Sequence, residues 1–347
     1  MASTPPVLIC GFGAFGELHA RAWRRLDPDV SLMVADPSPK ARARAAQLGI
    51  VADALSGNAA TLIDRAGIVD VVAPPALHLP LALEALAAGK PVMIEKPAVK
   101  TVAEARRLVE AAGTTPIQIG LVLRAHPLVA TARQMLDAGE IGTLHAMEGD
   151  FSGWKRMRAD SSLIENDGVH FLDLMRHFAR VPAHDVEARS WATLDADVAD
   201  DIVVEIGFGG ALRGRLRLGV LAAGETEDAF VPGAVTTKTL RLIGERGNIL
   251  IDFNRNRLTL SKVAYTRSAG GHDVAPLAVE TRSALGATPE MLLARSFGLF
   301  VDAVRSGAPV MCGAEEGALE LAATLAAIET ALAGQTRSAT RIEGVSP

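Results

Sequence analysis

The sequence predicts an α/β fold in which a parallel sheet covered by helices on both faces is followed by a region of antiparallel strands. Over the first 120 or so residues, short β-branched runs alternate with alanine-rich helical stretches, a rhythm typical of βαβ units. From about residue 145, longer strands follow one another directly. The 347 residues fit two domains, and we expect them over residues 1–123 and 124–347.

The elements of the first region follow from periodicity and capping residues. Ser38 is the expected N-cap of a helix that ends at Gly49, and Thr101 with Glu104 forms a capping box. We predict strands at Val7–Cys10 and Leu32–Ala35 and in the segments VDVVA, PVMIE and IQIGLVL. We predict helices in FGELHARAWRRL, SPKARARAAQLG, LHLPLALEALAAG and TVAEARRLVEAAG.

The second region reads as successive strands followed by two helices. Gly209-Gly210 suits a tight hairpin, because glycine accepts positive φ without steric cost. The expected strands are HAMEGDFSGW, VEARSWATL, DIVVEIGF, ALRGRLRLGV, TKTLRLIG and NILIDF. Arg213, Arg215 and Arg217 then share one face, which is either a solvated or subunit-facing surface or an anion site. A loop rich in glycine, serine and alanine precedes the helices MLLARSFGLFVDAVRSG and EEGALELAATLAAIETALAG.

Composition excludes several classes of protein. The net charge of −5 disfavours a nucleic-acid partner, since phosphate binding needs a clustered basic surface. No apolar stretch reaches the roughly 20 residues of a membrane span, and the N-terminus lacks a secretory pattern, so we expect a cytoplasmic protein. Cys10 and Cys312 lie far apart and read as buried apolar residues, so neither a disulfide framework nor a metal site is expected.

A glycine motif indicates the cofactor. Gly11, Gly13 and Gly16 form G-x-G-x-x-G between a strand and a helix, and this Rossmann fingerprint permits a tight turn and close approach to a pyrophosphate. We therefore expect the whole loop to bind a dinucleotide, including Phe12, Ala14 and Phe15.

An acidic residue after the second strand favours NAD over NADP. Asp36 follows Gly16 by 20 residues, where a carboxylate can bind an adenosine ribose and repel a 2′-phosphate. Two alternatives stay open: NADP accepted through Lys40 or Arg42, and a glycine turn with an acidic loop residue that binds no cofactor.

Two strand ends carry further candidates, because open parallel sheets bind ligands at this edge. Pro74 and His78 follow one strand, and His78 either contacts the cofactor or caps its helix. Glu95 and Lys96 end the next strand, beside the expected cofactor. Lys96 is either an ordinary solvated lysine or the cation that meets the oxygen whose charge changes during hydride transfer.

A later segment, SLIENDGVHFLDLMRHF, places Asn166 and His170 four residues apart. If the segment is helical, both project from one face, and Asp173 and His177 continue the polar pattern. A histidine on an apolar helix is more often a core residue than a catalyst, and spacing alone does not bring His170 to Lys96.

Together, the motifs GFGAFG, APPALH, GKPVMIEKP, R-A-H-P and D-G-V-H-F-L-D resemble the glucose–fructose oxidoreductase, inositol dehydrogenase and rhizopine-catabolism family. The likeness extends to AGEIGTL, the DDIVVEIGFGGALRG hairpin and the last two helices, so it covers nearly the whole chain. It implies a Rossmann domain followed by an α/β domain with a large, mostly antiparallel, open-faced sheet. It also implies a homodimer or homotetramer formed through that open face.

The resemblance assigns roles to individual residues. Lys96 and His170 face the nicotinamide and handle the proton of a substrate hydroxyl, and the peptide before Pro97 is cis. The family usually has an aspartate where this chain has Asn166, and an amide cannot act as a base. Lys96 and His170 then share proton transfer while Asn166 offers a hydrogen bond. Ser161-Ser162 replaces a usual glycine cluster, which weakens transfer of the substrate by analogy.

The segment GWKRMRAD borders the substrate in the family, so we expect Trp154 and Lys155 near it, together with Arg124 and Asp167. Lys155, Arg156 and Arg158 would bind a carboxylate or phosphate, as in a uronate or nucleotide diphosphate, unless they are a solvated basic loop. Trp154 either stacks on a sugar ring or anchors the loop.

These observations favour an NAD-dependent dehydrogenase that oxidises a hydroxyl of a sugar, cyclitol or related polyol. One rival is a glycosidase that uses bound NAD transiently, and another is a non-catalytic dinucleotide sensor. Retention of both Lys96 and His170 argues against the sensor.

Overall fold

The computed structural model describes residues 3–157, 161–195, 198–284 and 287–334. Two sheets form the framework, and each has its own apolar core. The first sheet is parallel and the second is mostly antiparallel, as the sequence predicted.

The first sheet has six parallel strands. They are β1 (Val7–Cys10), β2 (Leu32–Ala35), β3 (Leu55–Ser56), β4 (Ile68–Val71), β5 (Val92–Ile94) and β6 (Ile117–Ile119). Their order across the sheet is β3-β2-β1-β4-β5-β6, so the chain runs outward in both directions from β1 and β4. Such a reversal opens a ligand crevice beyond the carboxyl ends of those two strands.

Helices cover this sheet and begin where the sequence predicted. They are α1 (Ala14–Leu26), α2 (Pro39–Gln47), α3 (His78–Ala87) and α4 (Val102–Ala112). The Ser38 side chain caps α2, and Thr101 with Glu104 completes a capping box on α4. Both predicted caps are confirmed, because the hydroxyls satisfy amide groups that the first helical turn leaves unpaired.

Among the described residues, the second sheet has nine strands, and only β7 and β10 pair in parallel. They are β7 (Leu144–Trp154), β8 (Asp185–Trp191), β9 (Asp201–Gly207), β10 (Arg213–Gly219), β11 (Thr226–Glu227), β12 (Val235–Gly244), β13 (Gly247–Asp252), β14 (Arg257–Ser268) and β15 (Gly271–Ser283). The predicted hairpin joins β9 to β10, with φ of 83° at Gly209 and 58° at Gly210.

Helices pack on one face of this sheet and leave the other open. These helices are α5 (Pro127–Asp137), α6 (Val169–Ala179) and α8 (Leu321–Ala333). A π-helical turn, Ile164–Gly168, leads into α6. Arg213, Arg215 and Arg217 alternate with buried residues of β10 and lie exposed on the open face, as predicted.

The next helix packs against the domain that precedes the predicted boundary, although it follows that boundary in the chain. Helix α7 (Pro289–Ser306) follows the second sheet but contributes to the core of the first. Its Phe297 stacks on Trp23 of α1, with ring centroids 4.2 Å apart. A division at residue 123 therefore separates segments that share one core.

The predicted loop before α7 is wrong over residues 257–283. These residues form the long β14–β15 hairpin, and β15 is exposed at every position. Only the start of β14 shows an apolar alternation, at Leu258 and Leu260, which are buried. Beyond these residues the hairpin does not contact the core. Its side chains are therefore not selected for burial, and its composition resembles that of a loop.

Both cysteines are free and buried, which confirms their reading as apolar residues. Burial raises the pKa of the Cys10 thiol to about 12. Within the described ranges, no helix combines the length and the apolar character needed to cross a bilayer.

Candidate active site

The glycine loop after β1 has three distinct backbone environments. Gly11 has φ of +99°, and a Cβ there would lie 2.7 Å from the Ala73 nitrogen. A Cβ on Gly16 would lie 2.3 Å from the Gly11 oxygen, whereas one on Gly13 would meet nothing within 4 Å. Gly11 and Gly16 therefore close the turn against neighbouring backbone, while Gly13 faces open space.

The middle of the glycine loop is exposed to solvent and can contact a dinucleotide. Gly13, Ala14 and Phe15 are exposed, and Phe12 and Gly16 are buried on either side of them. The exposed residues lie at the N-terminus of α1, where amide groups and the helix dipole favour a pyrophosphate. The loop fits the dinucleotide that the motif predicts.

Asp36 lies beside this loop at the end of β2. Its Oδ2 accepts a hydrogen bond from the Phe12 amide at 2.7 Å, and its Oδ1 accepts one from the Ser38 amide at 2.8 Å. A carboxylate has about four acceptor positions, so Asp36 can still accept a hydrogen bond from a ribose hydroxyl. Arg42 donates to the carbonyls of Asp36 and Pro37, and Lys40 is exposed.

Pro74 and His78 occupy different positions after β4. Pro74 is exposed in the crevice, whereas His78 is buried at the start of α3. The His78 Nδ1 lies 2.7 Å from the Pro97 oxygen and its Nε2 lies 2.6 Å from the Ala73 oxygen. His78 therefore joins the two strand ends, and both of its ring nitrogens are engaged by backbone.

A buried charged cluster, Asp70, His19 and Glu95, supports the end of β5. His19 Nδ1 lies 2.9 Å from Asp70 Oδ2, and its Nε2 lies 3.4 Å from Glu95 Oε1. Burial alone would lower the pKa of His19, but the two carboxylates outweigh it and raise that pKa to about 10. Glu95 in turn accepts the Lys96 amide at 3.1 Å. Sequence reasoning missed His19, whose only signal is its place on the apolar face of α1.

Lys96 reaches from the first sheet toward the second. The Lys96–Pro97 peptide is cis, as the resemblance implied. The Lys96 ammonium donates a hydrogen bond to the Asn166 carbonyl oxygen at 2.8 Å. This contact joins the end of β5 to the π-helical turn, 70 residues later in the chain.

The turn and α6 present Asn166 and His170 to one cavity. The buried Nδ1 of His170 has no hydrogen-bond partner within the described residues. Burial, reinforced by the Lys96 and Lys238 charges, holds the pKa of His170 well below its ordinary value. The imidazole is therefore neutral near pH 7 and has a nitrogen available to a ligand. π-Helical turns occur frequently at functional sites.

The cavity has a volume of about 180 Å³. It lies between Lys96, at the end of β5, and Asn166 and His170, in the π-helical turn and α6. Its polar lining comprises Lys96, Asn166, Asp167, His170 and Lys238, and its aromatic lining comprises Phe151, Phe171 and Phe230. The structure thus brings Lys96 and His170 to one cavity, which spacing alone could not establish.

Two buried lysines lie at this cavity: Lys238 lines it, and Lys155 is the ion-pair partner of the lining residue Asp167. Lys155 pairs with Asp167 at 2.9 Å, and Lys238 pairs with Asp228 at 2.9 Å. Burial lowers the pKa of each lysine. Sequence reasoning missed Lys238. This lysine lies on the same face of β12 as Thr236, Leu240 and Leu242, which are buried. That alternation was the available signal.

Three other predicted substrate residues lie elsewhere. Arg124 is buried against Asp173, with nitrogen–oxygen distances of 2.7 to 3.0 Å, and does not line the cavity. Its remaining contacts go to the Met311 carbonyl and Glu316, so the predicted substrate contact is replaced by an ion pair with α6. Trp154 is 59% exposed and donates to the Leu221 carbonyl, and Arg156 is exposed. Arg158 lies outside the described residues.

Within the described ranges, no group of three or more histidine, cysteine or acidic side chains is arranged to hold a metal ion.

Two family models match the chain. Residues 6–120 match the model described as "Oxidoreductase family, NAD-binding Rossmann fold". Residues 129–250 match the model of the GFO/IDH/MocA C-terminal domain. Together the two matches cover most of the chain; the first spans the six strands of the first sheet, and the second spans the second sheet from β7 into β13.

Two of the curated relatives are named inositol 2-dehydrogenases. Inositol 2-dehydrogenase 2 of Saccharopolyspora erythraea is 30% identical over 176 residues, which is 48% of this chain and 52% of that protein. The chain therefore aligns with about half of that relative's length. Inositol 2-dehydrogenase of Rubrobacter xylanophilus is 27% identical over 70% of each chain.

Solved structures match over nearly the full length. The UDP-N-acetylglucosamine 3-dehydrogenase of Acidithiobacillus ferrooxidans has a TM-score of 0.76 at 23% identity, covering 96% of this chain and 98% of its own. A levoglucosan dehydrogenase in complex with NADH and levoglucosan has a TM-score of 0.77 at 20% identity, covering 94% and 97%. At these identities the likeness establishes the fold.

Proposed function

The chain belongs to the GFO/IDH/MocA family of NAD-binding oxidoreductases, and from this premise we propose that it is a dehydrogenase oxidising a hydroxyl of a sugar, cyclitol or related polyol. The observation that carries the proposal is the meeting of Lys96 with His170 at one cavity. A cation and a neutral imidazole beside the dinucleotide crevice are the groups that hydroxyl oxidation requires.

The cofactor side is assigned to the glycine loop and Asp36. Gly11 to Gly16 would hold the pyrophosphate, Asp36 the adenosine ribose, and Pro74 and Glu95 the floor of the crevice near the nicotinamide. When bound, NAD accepts the hydride from the substrate carbon. The negative charge of Asp36 favours NAD, since a 2′-phosphate at that position would be repelled.

Lys96 and His170 divide the work on the substrate hydroxyl. The Lys96 ammonium donates a hydrogen bond to the hydroxyl oxygen and stabilises negative charge that develops there. The neutral His170 imidazole accepts the hydroxyl proton. Because its pKa is lowered in the folded protein, the acid limb of kcat for oxidation is expected below pH 6.5. Asn166 fixes the Lys96 ammonium through its carbonyl oxygen.

The substrate class follows from the polar cavity and from the relatives. Asn166, Asp167 and Lys238 line a space suited to a molecule with several hydrogen-bonding groups. Relatives named inositol 2-dehydrogenase support a cyclitol or sugar.

We also propose that the open face of the second sheet is the interface between subunits. Two or four copies of the chain would associate through it as a homodimer or homotetramer. This face carries both signs of charge, as in the Arg215–Glu205 pair at 2.6 Å, and suits a self-complementary interface. Light scattering on the purified protein should give a dimer or tetramer. A monomer at micromolar concentration would remove this assignment.

A screen of aldoses, uronates, inositols and glycosides, each with NAD and with NADP, tests the proposed activity. We expect reduced cofactor to accumulate in proportion to substrate consumed, and more readily with NAD. Glycoside cleavage without net cofactor reduction would instead indicate the transient-oxidation glycosidase. Binding of NAD with no turnover of any compound would indicate a sensor.

A further inference from the structure

The backbone around Lys96 is anchored by side chains on both sides of this residue. Strand β5 ends at Ile94, so Lys96 lies beyond it. The Lys96 amide donates to Glu95 Oε2 at 3.1 Å, and the Pro97 carbonyl oxygen lies 2.7 Å from Nδ1 of His78. The anchor after Lys96 therefore comes from a separate element, since His78 is the first residue of α3.

The other ring nitrogen of His78 reaches the end of the neighbouring strand. Its Nε2 lies 2.6 Å from the carbonyl oxygen of Ala73, which follows β4. Ala73 packs against the glycine loop, because a Cβ on Gly11 would lie 2.7 Å from the Ala73 nitrogen. One imidazole thus connects the backbone beside the dinucleotide loop with the backbone that carries Lys96.

His78 itself has no atom left for a ligand. It is 2% exposed, and both ring nitrogens, its only polar side-chain atoms, lie at hydrogen-bond distance from backbone oxygens. Its side chain does not cap α3 either, since the N-cap residue of that helix is Leu77. Any effect of His78 on the reaction therefore passes through the backbone that it holds.

The two oxygens define what the side chain at this position must supply. A carbonyl oxygen only accepts hydrogen bonds, so both contacts are hydrogen bonds when both ring nitrogens donate. A side chain without N–H groups would remove both donors from a buried site. The backbone near Ala73 and Pro97 would then rearrange to find other partners.

A small shift of this backbone is enough to move the Lys96 ammonium. The ammonium donates to the Asn166 carbonyl oxygen at 2.8 Å, and Lys96 lines the same cavity as His170. A displacement of about 1 Å near a reacting centre can lower a rate about 100-fold. The aim of Lys96 at a shared substrate oxygen therefore depends on the anchor at Pro97.

We propose that His78 is a positioning residue for the dehydrogenase reaction: it fixes the Lys96 backbone against the end of β4 and so aims the Lys96 ammonium at the substrate hydroxyl. This inference rests on the role of Lys96 in the proposed function. It connects the histidine of APPALH with the lysine that ends the MIEK strand.

A double-mutant cycle with Lys96 tests this role. His78→Phe keeps a planar ring and removes both donors, and it should lower kcat about 10- to 100-fold. NAD affinity should change less than about threefold, because His78 is buried and the loss falls on the chemical step. In the Lys96→Met background, the same change should lower kcat less than about threefold, since the group that His78 positions is absent.

Two conservative variants separate the two contacts of the ring. His78→Asn places an amide nitrogen near the position of Nδ1, where it can donate to Pro97, and should keep kcat within about fivefold of wild type. His78→Gln places its amide nitrogen near the position of Nε2, where it serves only Ala73. Its loss of kcat should approach that of His78→Phe, because the anchor next to Lys96 is missing.

His126→Phe is the matched control for losing a buried imidazole. His126 is fully buried, and both of its ring nitrogens make hydrogen bonds, to the Leu128 amide and to Asn256. It packs on Phe253 beside the second sheet. Any effect of His126→Phe on kcat should therefore be the same in the wild-type and Lys96→Met backgrounds.

Crystal structures of the wild type and His78→Phe, each with NADH, give a readout that needs no substrate. The Lys96 ammonium should lie within about 3.2 Å of the Asn166 carbonyl oxygen in the wild type and beyond about 4 Å in the variant. This comparison decides the positioning role even when no substrate is turned over.

The remaining outcomes contradict the inference or the function beneath it. An unchanged kcat in His78→Phe, an equal loss in both backgrounds, a smaller loss in His78→Gln than in His78→Asn, or an unmoved Lys96 overturns the positioning role and leaves the dehydrogenase intact. If His78→Phe does not fold, His78→Gln replaces it in the cycle and in the crystals under the same criteria. Full turnover in Lys96→Met overturns both proposals, whereas no turnover of any compound overturns the proposed activity alone.

Discussion

The two sides of the candidate site are built in different ways. On the cofactor side, one short loop, Gly11 to Gly16, supplies the surface for the pyrophosphate, and much of its chemistry comes from backbone amides. On the substrate side, Lys96, His170 and Lys238 come from a strand end, a helix and a strand that are far apart in sequence. A contiguous, backbone-made site leaves a readable motif, whereas a site assembled from side chains of several elements does not.

The two sides also differ in how they stabilise charge. In the buried cluster under the cofactor side the charges are paired with each other, because the His19 imidazolium lies 2.9 Å from Asp70 and 3.4 Å from Glu95. The substrate side is incomplete, since the buried Nδ1 of His170 has no hydrogen-bond partner among the described residues. An incomplete polar cavity is the one that a ligand completes.

The largest expected effect comes from breaking the ion-paired cluster of His19, Asp70 and Glu95. His19→Gln removes a buried cation between two carboxylates and should lower the free energy of unfolding by about 3 to 5 kcal/mol. Because the folded pKa of about 10 exceeds the ordinary 6.5, the charge contributes fully below pH 6.5 and is lost as pH rises through 10. Urea unfolding at pH 6, 8 and 10 should show a difference from wild type that shrinks with pH.

The control for this change is His145→Gln, which alters an exposed histidine of β7. It should leave unfolding unchanged at all three pH values. If the cost of His19→Gln were small or independent of pH, His19 would not be a buried cation.

The next effect isolates the substrate side. Lys96→Met removes the donor to the reacting oxygen and should lower kcat about 100- to 1000-fold, with NAD affinity changed less than about twofold. Lys100→Met, at an exposed position nearby, is the control. Steady-state kinetics and calorimetric titration with NAD measure both quantities. Full turnover in Lys96→Met would remove Lys96 from the chemistry.

A pair of glycine changes then isolates the cofactor side. Gly16→Ala forces a Cβ against the Gly11 oxygen and should cost about 1 to 3 kcal/mol of stability. Gly13→Ala meets no protein atom, so the melting temperature should hold while NAD affinity falls about tenfold. Thermal melting and calorimetry distinguish the two. Unchanged NAD affinity in Gly13→Ala would place the dinucleotide elsewhere.

The smallest effect concerns cofactor choice. Asp36→Asn keeps an oxygen for the Phe12 amide but removes the charge, so the ratio of kcat/KM for NAD to that for NADP should fall about tenfold. Asp29→Asn, at an exposed position, should leave the ratio unchanged. An unaltered ratio in Asp36→Asn would mean that the Asp36 carboxylate does not contact the adenosine ribose.

The contrast between the two sides also explains what the sequence could predict. The parallel sheet, its caps and the glycine loop follow from local patterns, and the strand end at Lys96 and the helix at His170 were recognisable as separate motifs. The alternation of β12 indicates that Lys238 is buried, but its place at the cavity depends on lying opposite Phe151, a pairing 87 residues apart that no local pattern encodes. Likewise, Arg124 was expected at the substrate, and no local pattern reveals its ion pair with Asp173, which lies in another element.

The exposed β14–β15 hairpin and the return of α7 to the first core were missed for a related reason. An exposed strand such as β15 lacks an apolar face, so periodicity gives no signal. The docking of α7 is decided by contacts such as Phe297 on Trp23, between residues at opposite ends of the chain.

A crystal structure with NADH and a turned-over substrate tests the central proposition most directly. We expect the Lys96 ammonium and a ring nitrogen of His170 to lie within about 3.2 Å of one substrate oxygen, with the carbon that bears it facing the nicotinamide. Contacts of the two side chains with different oxygens, or a dinucleotide bound away from the Gly11–Gly16 loop, would contradict it.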